Sequence, residues 1–122
     1  MPFHLRQQSP FRFITRISQR CLERRTLTAE ACAGTRGVFL LEAMGQAGSV
    51  LIAETGAYRK GTPVFTLWDR VHLRRTPQPL LEPVSVETEL VQRARMNCKA
   101  RDAAGNVLAT ARLSFHMADW LD

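Results

Sequence analysis

Glu42, Gln46 and Ser49 stand inside the longest apolar run of the sequence, GVFLLEAMGQAGSVLIAET from Gly37 to Thr55. Their spacing is i, i+4, i+7, which on a helix puts all three on one face. A carboxylate in an apolar helix is costly to bury and is seldom fully buried without a partner. Two readings of Glu42 follow. It is a structural carboxylate satisfied by a backbone amide or an arginine, or it faces a cleft and does chemistry. The other reactive side chains are more isolated. Cys32 lies near the start of the run, where a thiol is activated, but no second catalytic group accompanies it, so it reads as a small packed residue. Asp69 is a weaker acid candidate than Glu42. His4, His72 and His116 read as solvated histidines.

The element that must position Glu42 is the run itself. Apart from Gly45 and Gly48 its residues are good helix formers, and no proline interrupts it. Apolar residues occupy every side, so the helix is expected to be buried all round. Thr35 is the expected N-cap. The run sits at the low end of the roughly 17 to 25 residues a membrane span requires, and it carries Glu42, so no span is expected. No cationic start with an apolar stretch and cleavage site opens the chain, so no secretory signal is expected.

The totals bound the rest. A chain of 122 residues is expected to form one domain, 1–122, around one core. Hydrophobic residues make up 45% and charged residues 23%, which excludes disorder. Cys21, Cys32 and Cys98 are odd in number and widely spaced, with no CxxC pair. That argues for free thiols in a reducing compartment, here the cytoplasm, and against a zinc site or other metal. The net charge is +6, carried almost entirely by arginine, since only Lys60 and Lys99 are lysine. A basic surface attracts anions. The arginines are dispersed, the chain has one tyrosine and it shows no recognised nucleic-acid module. An acidic protein or a phosphorylated ligand is therefore expected, and nucleic acid is not.

Strands flank the helix. Pro10 to Cys21 carries Phe11, Phe13, Ile14, Thr15 and Ile17 and reads as a strand. Glu23 to Ala33 is a second, with Leu27, Ala29 and Ala31 alternating inward. Gly56 to Pro63 is a loop. Val64 to Arg74 alternates, with Phe65, Leu67, Val71 and Leu73 inward, and Thr66, Trp68, Arg70, His72 and Arg74 outward. Asp69 falls on the apolar side, a flaw that a strand end or bulge would absorb. Three prolines make Thr76 to Pro83 a loop. Val84 to Ala100 alternates as one long strand, Asp102 to Asn106 is a turn, and Val107 to Met117 returns as a hairpin partner. The expectation is an α+β fold, a five-stranded antiparallel sheet wrapped around one long central helix. Its edges need protection, which a dimer paired edge to edge supplies.

These residues resemble a known family. The string Gly37-Val-Phe-Leu-Leu-Glu-Ala-Met-Gly-Gln-Ala-Gly48 resembles the central helix of the hotdog-fold 3-hydroxyacyl-acyl carrier protein dehydratases. That helix opens with Pro-Gly-Val and continues in a Glu-Ala-Met/Leu-Ala-Gln-Ala pattern. Pro10-Phe11-Arg-Phe-Ile-Thr-Arg16-Ile17 is similar to the Pro-Phe-x-x-x-x-Arg-Ile of the family's first strand. FTLWDRVHLRR, Phe65 to Arg75, is similar to its strand after the helix. Order and spacing agree over nearly the whole chain. The resemblance implies the hotdog fold, with Glu42 as the catalytic acid, the Gly37 amide as the carbonyl donor and Gln46 holding the acid in place. One departure stands out. The family's catalytic histidine, in a His-Phe-Pro-Gly stretch before the helix, has no counterpart, because no histidine lies between His4 and His72, and Arg36 replaces the expected proline.

Dehydration needs a base, an acid and a donor for the enolate oxygen. The resemblance supplies the last two. Three possibilities remain. The chain is a histidine-less subunit completed by a histidine-bearing hotdog partner; or a thioesterase in which Glu42 activates water; or a non-catalytic acyl-thioester binder. No cofactor is expected beyond the phosphopantetheine of acyl carrier protein or coenzyme A that carries the acyl group. Arg74 and Arg75 at a strand end, and Arg59 with Lys60 after the helix, are the expected docking patch for that acidic or phosphorylated carrier.

Overall fold

The computed structural model of the chain describes residues 13–32, 37–55, 62–74, 83–92 and 94–118. The expected cap Thr35, the docking residues Arg59, Lys60 and Arg75, and His4 lie outside them. Chain order is β1 (Ile14–Cys21), β2 (Thr26–Ala31), α1 (Gly37–Thr55), β3 (Thr62–Leu73), β4 (Val84–Gln92), β5 (Arg95–Arg101) and β6 (Val107–Ala118). All strand pairs are antiparallel, and the sheet order is β1-β2-β4-β5-β6-β3. The helix packs on one face of this sheet, so the architecture is α+β. β1 and β3 are the edges.

The helix bounds are those expected from the apolar run. The strand count is not: the sheet has six strands, because Val84 to Ala100 is two strands and not one. Leu90 pairs with Met96 and Gln92 with Arg95, so the two segments run antiparallel to each other. The register slips between Leu90 and Gln92, and this one-residue bulge restores the alternation that the reversal would otherwise shift. Val84, Val86, Thr88 and Leu90 face the helix before the turn, and Met96, Cys98 and Ala100 after it. Alternation alone runs straight through such a turn.

β3 corrects a second expectation. Its pairing with β6 slips between Phe65 and Leu67 and again between Asp69 and His72. Each bulge inserts a residue and flips the side chains that follow. Trp68, expected outward, packs on the core beside Phe65, while Leu67 is 53% exposed. Asp69 is carried to the outer face opposite Arg112. The expected bulge thus removes the carboxylate from the apolar side. Leu73, at the strand end, is 47% exposed.

Leu40, Ala43, Met44, Ala47, Val50, Leu51 and Ile52 of α1 are buried with Leu27, Val86, Met96, Leu113 and Phe115 of the sheet. Gly48 is part of this packing, since a Cβ there would overlap the Met96 methyl. Burial all round is nevertheless not what α1 shows. Phe39, Glu42 and Ala53 are exposed and Ser49 is half-buried, which leaves a stripe along the helix uncovered. Phe13, just ahead of β1, stacks on Phe39 with ring centroids 5.3 Å apart. On the other flank, Phe65 and Trp68 of β3 reach over Gly45. The open stripe therefore runs between the two edge strands.

Candidate active site around Glu42

Gly37 is the first residue of α1, so its N–H is among the four that have no acceptor inside the helix. Such groups, with the helix dipole behind them, favour a negative oxygen. Glu42 follows five residues later, about 7.5 Å along the axis at 1.5 Å per residue. Helical side chains lean back toward the N-terminus, which brings the carboxylate nearer to the helix start.

Among the described residues Glu42 meets no cation. Its partner is Gln46, whose Nε2 donates to Glu42 Oε1 at 3.3 Å. Gln46 is itself only 1% exposed. Its Oε1 accepts the backbone N–H of Phe13 at 2.8 Å and of Ile14 at 3.2 Å. Two donors fix which end of the amide is oxygen, so the nitrogen is the end turned to Glu42. One glutamine thus docks the start of β1 on the middle of the helix and holds the exposed carboxylate. A buried Gln with unmet amide groups would cost several kcal/mol, roughly 1–3 per group, which is why the contact is so completely used.

The remaining expected residues scatter. His72 and His116 are exposed and lie on the strand positions facing away from the helix, His72 opposite Thr110 and His116 next to the inward Phe115. No described histidine faces Glu42. Asp69 is not available as an acid: Arg112 Nε donates to Asp69 Oδ1 at 2.9 Å and Nη2 to Oδ2. These bonds, with weaker pulls from Arg95 and Arg70, hold its carboxyl below the usual range. Arg74 is exposed at the end of β3, and its N–H donates to the Leu108 carbonyl at 2.8 Å. There it neighbours the β5–β6 turn, where the Asn106 N–H leads the groups that hold Asp102 below its ordinary value. Cys32, expected to be packed, is exposed, because only its backbone is used, its N–H donating to the Phe13 carbonyl at 3.0 Å. Cys98 is the packed cysteine, and burial pushes its thiol up to about 11. All three thiols are free, and among the described residues no group of three His, Cys, Asp or Glu side chains could hold a metal. No described helix is long and apolar enough to cross a membrane.

The aromatic flanks of Glu42 are absent from the sequence reading. Phe13 and Phe39 are 26 residues apart, and the Gln46 tether helps bring them together.

No family model matches the sequence, and no curated protein matches it. Solved structures do match. The smu.793 protein from Streptococcus mutans UA159, bound to acetyl CoA, superposes with a TM-score of 0.70 at 9% identity, over 98% of this chain and 99% of that one. The dehydratase heterocomplex ApeI:P from Xenorhabdus doucetiae gives 0.70 at 13% identity, over 93% and 87%. A hypothetical thioesterase from Streptococcus pneumoniae TIGR4, with coenzyme A, gives 0.66 at 11% identity, over 87% of each chain. The chain has the hotdog fold. At these identities the likeness fixes the fold and no more. Within the hotdog fold, α1 is the central helix the resemblance implied, and the sheet that wraps it has six strands where five were expected.

Proposed function

We propose that this hotdog protein binds an acyl thioester along the open stripe of α1, with Glu42 as its working carboxylate and the Gly37 amide at the thioester carbonyl. The observation that carries the reading is the Gln46 tether. It holds an exposed carboxylate, paired with no cation among the described residues, between the two edge strands and about one and a half turns from a helix start. Solved structures of this fold with acetyl CoA and coenzyme A support a thioester as the ligand class.

The reaction is dehydration of a 3-hydroxyacyl group, with this chain as the acid-bearing half. A base takes the proton next to the carbonyl, the carbonyl oxygen gains charge at the Gly37 amide, and Glu42 protonates the departing hydroxyl. Water leaves and a double bond forms between the two carbons. Both described histidines lie on the far face of the sheet, so the base comes from a histidine-bearing partner. β3 is the edge for it: twelve residues long, with exposed Leu67, whereas β1 presents Thr15, Arg16 and Ser18. A dehydratase heterocomplex of the same fold supports a two-chain arrangement. The thioester carrier is acyl carrier protein or coenzyme A, with the dispersed arginines as its docking charge, in fatty-acid or polyketide-type biosynthesis.

A thioesterase is the second reading, favoured by the same lack of a cation at Glu42 among the described residues: a lone carboxylate that activates water needs no histidine, and thioesterase HI1161 from Haemophilus influenzae and a hypothetical thioesterase from Streptococcus pneumoniae TIGR4 have a similar fold. Incubating the purified chain alone with a 3-hydroxyacyl pantetheine thioester, and following mass, separates the two. An unchanged substrate, turned over only when a histidine-bearing hotdog chain is added, supports the half-site. A free acid and thiol supports hydrolysis. Loss of water from the chain alone would overturn the half-site.

A further inference from the structure

We propose that the outer face of the sheet carries a second site, a phosphate-binding pocket centred on Thr110 and built by Arg70, His72, Lys99 and Arg112. A groove of about 680 Å³ lies on this face, across the sheet from Glu42. All five residues line it. Register places them around one point. His72 of β3 and Lys99 of β5 both stand directly opposite Thr110 of β6, one on each side. Opposed residues of this kind have Cβ atoms about 4.5–5.5 Å apart. Arg112 is two residues along the same strand, about 7 Å away.

Arg70 reaches the site by a different route. It sits in the second bulge of β3, between Asp69 and His72, with φ at 51°. A non-glycine residue there is uncommon, and bulges re-aim side chains next to functional sites. The strain has a use here, because it turns a guanidinium into the groove that regular β pairing would have aimed elsewhere.

The cations are available. Among the described residues neither Arg70 nor Lys99 is in an ion pair. Arg112 gives its Nε and one Nη2 hydrogen to Asp69, which locks the guanidinium and leaves its Nη1 hydrogens to donate. Around Thr110 the cations Arg70, Lys99 and Arg112 outnumber Asp69. Glu87, which faces Lys99, is engaged by Arg101 Nε at 3.5 Å. Donors from three strands converging with a hydroxyl suit a tetrahedral, multiply charged anion better than a planar carboxylate. Glu87 stands opposite Lys99, Asn97 opposite Arg112 and Glu89 opposite Asn97, so acceptors line the same groove beside the cations. A phosphate ester whose body carries hydroxyl or amino donors satisfies both sets of groups.

The test is calorimetric titration of the full chain with inorganic pyrophosphate, ADP and adenosine. Pyrophosphate and ADP are expected to bind once per chain, and adenosine not to bind. Lys99→Gln and Arg70→Asn, the latter tolerating positive φ, are each expected to weaken ADP about tenfold, equivalent to about 1.4 kcal/mol. Glu42→Gln is expected to bind ADP as the parent does, which keeps this site separable from the thioester stripe. ADP tighter than pyrophosphate would show the ligand body engaging Glu87, Glu89 or Asn97, and equal affinity would show phosphate recognition alone; both support the pocket. No saturable binding of either phosphate ligand, adenosine binding as tightly as ADP, or unchanged affinity in both variants would overturn it.

Discussion

Two carboxylates, Glu42 and Asp69, meet opposite fates on opposite faces of one sheet. Asp69 is clamped through both oxygens by Arg112, with Arg70 and Arg95 near enough to pull its carboxyl further down. Among the described residues Glu42 has one polar partner, the neutral amide of Gln46. A carboxylate inside a ring of arginines is structural, because it stays ionised and its lone pairs are spent. One held by a single buried glutamine is placed without being consumed. The same contrast sorts the two faces. The stripe of α1 offers apolar surface and a proton-transfer group, whereas the outer face offers charge and no free acid near Thr110.

The largest expected effect breaks that contrast at its centre. In an assay with substrate and a histidine-bearing partner, Glu42→Gln is expected to lower turnover at least 100-fold, of the order of one acid–base group. Asp69→Asn should change it less than about threefold. Equal losses would erase the distinction. Next comes the tether. Gln46→Leu removes the acceptor of two backbone N–H groups, and a cost of about 2–4 kcal/mol is expected in urea unfolding, from roughly 1–3 kcal/mol per orphaned buried donor. Turnover should fall as well, as Glu42 loses its orienting partner. A variant as stable and as active as the parent would show that the tether is not what places the acid.

Cys98 sharpens the account from the core side. Its thiol is raised by burial to about 11, against an ordinary value of 9.0, with a smaller opposing effect from Thr88. The folded state therefore disfavours the thiolate. Its contribution is complete below pH 9 and is lost as pH rises toward 11, about 3 kcal/mol across that window by the usual conversion. Cys98→Ser does not ionise and keeps a hydroxyl for Thr88, so its stability is expected to fall less between pH 9 and 11 in urea melts. Parallel falls for parent and variant would place the alkaline instability elsewhere. The smallest effect belongs to Arg16 and Glu30, an exposed pair at 2.6 Å on the β1 edge. Glu30→Gln should leave the urea midpoint within error, as exposed pairs generally do.

The helix was fully legible in the sequence, since an uninterrupted apolar run of 19 residues has few other ways to fold. β2 and β6 were legible from alternation. β4 and β5 were merged because the sequence between Gln92 and Arg95 holds no glycine, proline or asparagine, and the register slip between Leu90 and Gln92 keeps the alternation in step on both sides. Trp68 and Leu67 were inverted because a bulge leaves no mark in composition; only the misplaced Asp69 hinted at it. The Glu42–Gln46 pair could be read from i, i+4 spacing. The Phe13 and Ile14 amides that complete it could not, since a long-range contact to backbone has no sequence signature. The pocket around Thr110 was hidden for the same reason. His72, Lys99 and Thr110 are ordinary outward residues until register lines them up.

The most direct measurement is a map of amide chemical-shift changes on adding a non-hydrolysable acyl pantetheine that carries no phosphate. The account predicts that the changes centre on Phe13, Phe39, Glu42 and Gln46, with the residues around Thr110 silent. Changes confined to the outer face, or none at saturating ligand, would contradict Glu42 as the centre of an acyl-thioester site.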